Sequence, residues 1–168
     1  MPMISGELKW YEVASTLEQA VYAGLTEKPT RHSVVPGAIA WDECDCGLLA
    51  VSVGQIYVTE VFPEPLARRV GNACDAPWEA AEVIIQVIRC VPTVDDVGNA
   101  PTTAALNASA QEVLRDAYEM LRAVSVKLCQ MNEARDIADF ILRPLNPQGP
   151  SGMCGGNEVR AIVSLPRN

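Results

Sequence analysis

Histidine is almost missing from this chain: its 168 residues contain one, His32. With no G-x-S-x-G and no C-G-x-C signature beside it, a nucleophilic triad has no support. No second histidine is present to build a usual metal-ligand set, and His32 is expected to be an exposed loop residue. Basic side chains are also scarce, thirteen against twenty-one acidic, for a net charge of −8. Gripping a nucleic-acid backbone needs a concentrated basic patch, and the only adjacent basic pair is Arg68-Arg69. An acidic surface suits solubility, or a passage through which DNA slides without sticking. No apolar run approaches the roughly 20 residues that span a bilayer. Met1 to Gly6 has neither a basic leader nor an apolar core, so the chain is expected to be made and folded in the cytoplasm. The glycines match no phosphate-cradling pattern, and no internal repeat, heptad run or interdomain linker is found.

What is present is an ordinary folding composition: 49% hydrophobic and 20% charged residues, on a chain long enough for one domain. The strongest β-forming run is Ala80 to Pro92, AAEVIIQVIRCVP. Val83, Ile85, Val87 and Val91 fall on one side and Ile84, Ile88 and Cys90 on the other, with only Gln86 and Arg89 interrupting. Such a strand is expected mid-sheet, covered on both faces. Leu48 to Val61 alternates as a second strand, with Gly54 marking a bulge or bend. Phe140 to Leu145 and Val159 to Leu165 read as two more. A helix is expected over Glu7 to Leu25, capped by Ser5, with Trp10, Ala14, Leu17, Val21 and Leu25 on one stripe. A longer helix is expected, capped by Thr102 or Thr103, its stripe being Leu106, Ala110, Val113, Ala117, Leu121, Val124 and Leu128. The expectation is one α+β domain over 1–168, two-layered. Its mainly antiparallel or mixed sheet has about four strands, covered by two helices. The glycine- and proline-rich stretch 146–157 is expected to be a mobile loop.

Two groups of side chains invite chemistry. Asp42, Glu43 and Asp45 cluster without the glycine-punctuated spacing of a calcium loop, and a solvated acidic surface is the plainer reading. Cys44, Cys46, Cys74 and Cys90 lie near strand ends and form a candidate thiol or disulfide cluster. Zinc prefers C-x-x-C pairs, and there is none. Reduced thiols are the first expectation for a cytoplasmic protein, with a disulfide as the alternative, and no metal or cofactor is expected. Cys129 reads as core. Trp10, Trp41 and Trp78 read as packing residues.

The run Pro36 to Pro65, PGAIAWDECDCGLLAVSVGQIYVTEVFPEP, is followed by a cysteine-bearing loop and by AAEVIIQVIRCVP. Together, over about Pro36 to Leu128, they resemble tail and neck proteins of phages of actinobacteria. Those proteins carry a similar tryptophan–acidic–cysteine–glycine lead into a strand, an F-P turn and an R-C-x-P strand end. The order of elements is similar to that of tail terminators of long non-contractile tails. The resemblance implies a non-enzymatic virion protein of the tail or neck that forms a homo-oligomeric, hexameric ring. Such a ring caps the tail tube protein and meets the head-side connector or stopper protein, while DNA passes its lumen without specific binding; no membrane is involved. It also implies a neck stopper (head-completion) protein as the alternative. Apart from the resemblance, the cysteines leave a small cysteine-dependent enzyme as the rival class. The resemblance supplies no catalytic residues. On the ring reading, Gly152, Met153, Gly155 and Gly156 are candidate assembly contacts, and Asp42, Glu43 and Asp45 a candidate acidic lumen.

Overall fold

The computed structural model describes residues 8–37, 45–66 and 76–167. In chain order these form α1 (Lys9–Gly24), β1 (Arg31–Val34), β2 (Leu48–Thr59), β3 (Trp78–Cys90) and α2 (Thr103–Glu133). They are followed by β4 (Asp139–Leu142), β5 (Asn146–Ser151) and β6 (Cys154–Pro166). The class is α+β, and the sheet is mixed. Its order is β1-β2-β3-β6-β4, with β5 also on β6; β1 runs parallel to β2 and the other pairs are antiparallel.

The sheet has six strands rather than about four, and the two additions share a cause. β1 is a four-residue edge strand whose sequence, RHSV, is too short and polar to show alternation. β5, NPQGPS, carries two prolines, which a strand tolerates only at an edge or a bulge. The stretch 146–157, expected to be a mobile loop, is therefore mostly a hairpin. β5 turns through Gly152 (φ +58°) and Met153 into β6, with Ser151 opposite Cys154. Glycine is required further on because strands approach too closely for a side chain. A Cβ on Gly156 would lie 1.9 Å from the Val87 carbonyl oxygen.

Both helices cover one face of the sheet. From the sheet come Leu49, Val51, Val83, Ile85, Val87, Val159, Ala161 and Val163; α1 contributes Val13, Leu17 and Val21, and α2 contributes Met120, Val124 and Leu128. Apart from Ala161, burying each of these side chains contributes about 1.5–3 kcal/mol. The second face of β3 is not covered as its sequence suggested. Ile88 and Cys154 close a small cluster with Leu48 and Cys90 at one end. Further along that face, Gln86 donates to Glu158 at 2.7 Å, and Arg160 donates to Glu158 at 2.6 Å and to Glu82 at 3.2 Å. The β2–β3 ladder slips between Val53 and Ile56, at Gly54, where a bulge was expected.

Ser5, the expected cap of α1, lies outside the described residues, and Leu8 at the cap position makes no side-chain bond; other helix ends are sealed locally. Thr102 accepts the Ala105 N–H at 3.1 Å to start α2. Lys28 donates to the Tyr22 and Ala23 carbonyls that α1 leaves unpaired. The Trp10 indole donates to Glu79, pinning the start of α1 to β3. Arg89, one of the two interruptions of the apolar strand, points at α2 and donates to Asp116. It also donates to the Glu27 carbonyl at 2.6 Å.

Candidate functional site

The residues marked in the sequence divide among three places. Asp42, Glu43, Cys44 and Cys74 lie outside the described residues, as does Trp41. Asp45 is exposed in a turn with φ +44°, and Cys46 follows at φ +56°. Cys46 is bonded to Cys90 across 44 residues, which ties the approach to β2 to the end of β3. Cys154 is also disulfide-bonded, and it stands opposite Cys90 in the β3–β6 ladder. Reduced thiols, the first expectation, are therefore not the state of these three cysteines. Cys154 was missed as a member of the group because it hid among glycines that read as loop. Cys129 is an exposed free thiol rather than a core residue.

Of the glycine group, Gly152 and Met153 form the exposed hairpin tip, Met153 being 58% exposed. Gly155 and Gly156 are buried inside the sheet, Gly155 opposite Arg89 and Gly156 paired with both Ile88 and Gln148, so they are not available as surface contacts. His32 is in β1, not a loop. Its Nδ1 meets Glu18, and its ring stacks on Tyr22 at 3.9 Å between centroids. That arrangement occupies the one histidine in joining β1 to α1. Among the described residues no group of three or more His, Cys, Asp or Glu side chains is placed to hold a metal ion. No described helix is long and apolar enough to cross a membrane.

A groove of about 620 Å³ lies between the outer sides of the two helices. Its floor is Ala20, Ala23, Gly24 and Ala123, none extending beyond Cβ. Helices come this close because Gly24 has no side chain: a Cβ there would lie 3.1 Å from the Ala123 Cβ. Arg122 and Lys127 line it and make no ion pair among the described residues. Glu119 also lines it, but its carboxylate accepts the Thr26 N–H at 2.7 Å and the Thr26 hydroxyl at 2.5 Å.

Beside the groove α2 turns a row of large apolar side chains outward. Leu114 is 66% exposed, Tyr118 67%, Leu121 39% and Leu106 50%. The expected stripe holds only in part: Val124 and Leu128 are inside, joined by Met120, Met131 and Asp116, whereas Leu106, Ala110 and Leu121 are outside. Two apolar sectors on one helix confuse a single-stripe reading, because a helix apolar over a wide arc has no unique inner side in sequence.

No protein-family model matches the sequence, and no curated protein does. Among solved structures, the chain is similar to the sheath/tube terminator of an extracellular contractile injection system, PVC, in its extended state. The identity is 10% and the TM-score 0.39, covering 94% of this chain and 56% of that one. The chain spans little more than half the length of that terminator.

Proposed function

We propose that this chain is a structural protein of a phage tail or neck, a tail terminator that assembles into a ring on the end of the tail tube. The observation that carries the reading is the outward apolar row of α2. Leu114 is 66% exposed, Tyr118 67% and Leu121 39%, on an acidic chain otherwise well suited to staying dispersed. Large exposed apolar surface of this kind marks an interaction face. The resemblance of Pro36–Leu128 to actinobacteriophage tail and neck proteins supplies the setting. Two long helices on one sheet face favour a terminator over a stopper built mainly from β-structure. A cysteine-dependent enzyme is disfavoured, since Cys46, Cys90 and Cys154 are disulfide-bonded and His32 is engaged by Glu18.

On this reading copies form a hexameric ring, one side meets the tail tube protein and the other a head-side connector, and DNA passes the lumen unbound. Mass photometry and electron microscopy of the purified chain, alone and mixed with tail tubes, test it. Rings in solution or capped tube ends are the expected result. A chain that stays monomeric and leaves tube ends bare overturns the proposal.

A further inference from the structure

The loop between β3 and α2 is built to project rather than to pack. The Asp95 carboxylate accepts the backbone N–H of Val97 at 3.0 Å and of Asn99 at 2.8 Å, and the Asn99 side-chain amide at 2.9 Å. The Asp95 N–H in turn donates to the Asn99 carbonyl at 3.1 Å. These bonds hold the loop in one shape, so little ordering entropy is left to lose on binding. At its tip Val97 is 86% exposed and Val94 60%, with Asp96 exposed between them. A fastened loop that offers a bare apolar side chain next to a carboxylate is the complement of the groove between α1 and α2. That groove has a floor of small apolar residues and two cations, Arg122 and Lys127, along its side.

Loop and groove cannot meet within one copy. The loop leads directly into Thr103, and Arg122 lies about 28 Å further along the same rigid helix, at 1.5 Å per residue. We infer that the groove receives the 94–97 loop of a second copy: Val97 seats on Ala20, Gly24 and Ala123, and Asp96 approaches Arg122 and Lys127. The two surfaces being different, the contact is head to tail, and its repetition closes into a ring or continues as a filament. This deepens the ring reading above and rests on it, naming which faces of neighbouring copies touch. Charge does selective work here. A chain of net charge −8 repels its own copies in most orientations, and the Arg122–Lys127 side of the groove is where an acidic loop is attracted.

The test is disulfide trapping between two variants of the full chain, both carrying Cys129→Ser to remove the exposed thiol. Val97→Cys and Val126→Cys chains are mixed under mild oxidation and resolved without reductant, Val126 being a half-exposed residue of the groove wall. The expected result is a covalent pair in the mixture that exceeds either variant's pairing with itself. Adding Arg122→Glu to the Val126→Cys chain should cut its yield roughly tenfold, and Asp96→Lys in the Val97→Cys chain should restore it. Oligomers seen by mass photometry without this cross-link overturn the loop-in-groove contact and leave the ring proposal standing. Neither oligomers nor cross-link overturns both.

Discussion

Arg89 and Asp116 form a two-pronged ion pair shut away from water. Nε reaches Oδ2 at 2.7 Å and Nη2 reaches Oδ1 at 3.0 Å, with side chains 7% and 2% exposed. Burial alone would push the Arg89 guanidinium down. The hydrogen bond and charge of Asp116, with Glu112 and Glu27, more than restore it, and it stays charged. Removing one partner therefore strands a buried charge. Asp116→Ala should cost about 3–5 kcal/mol in urea unfolding, whereas Arg89→Met with Asp116→Leu should cost far less than the two single changes summed. Additive losses would show that the pair is not coupled.

Ile85 and Leu121 separate the inner and outer rows. Ile85 is fully buried under both helices, and Ile85→Ala should cost about 2–5 kcal/mol. Leu121→Ala should cost less, about 1 kcal/mol as an isolated subunit, because its side chain is partly exposed. The same change should weaken self-association. Equal stability losses at both sites would contradict the orientation of α2.

Much of this fold is readable from residue spacing. The long alternating runs of β2 and β3, the first helix and its stripe, and the Thr102 cap follow from local periodicity and capping chemistry. What escaped is decided by tertiary contact. β1 and β5 are held by neighbours rather than by propensity, and α2 has apolar residues on two sides of which only one finds the sheet. Arg89 did leave a trace, as a cation inside an apolar strand, where only a buried partner could tolerate it. Its partner Asp116, on a helix twenty-seven positions on, left none. The outward loop of Val94–Val97 reads in sequence as a polar connection, since rigidity there comes from the side chain of Asp95 folding back on its own backbone.

Acid should loosen the join between α1 and α2. Burial pushes the Glu119 carboxyl up. The two bonds from Thr26, and the charges of Arg115 and Lys28, outweigh that and hold it below its ordinary 4.5. A carboxyl with a lowered folded value stabilises the fold fully above 4.5 and loses that contribution as pH falls through the lowered value. Thr26→Val should therefore be less stable than the parent near neutral pH, with the gap closing as pH falls through that lowered value. A gap independent of pH would remove Glu119 from the account.

Cleaving the Cys46–Cys90 bond frees a loop of 44 residues in the unfolded chain. Chain entropy puts the resulting loss at about 4 kcal/mol for Cys46→Ser with Cys90→Ser. Calorimetry should show a lower Tm of corresponding size. Among the described cysteines of the native protein, a thiol-specific probe should label Cys129 alone; rapid labelling of Cys46 or Cys90 without reductant would refute the linkage.

β6 sits between β3 on one side and β4 and β5 on the other, yet all three precede it in the chain. During synthesis the nascent chain therefore emerges with β3 complete but one of its edges bare, and with two further strands that have nothing to dock on. The sheet cannot close segment by segment as the ribosome advances. It closes in one late step, when residues 154–166 become free to thread between strands made up to 88 positions earlier. Translation that stalls or stops short of Cys154 leaves a long apolar strand open to the same strand in another copy, so misassembly competes with folding for the whole of that interval.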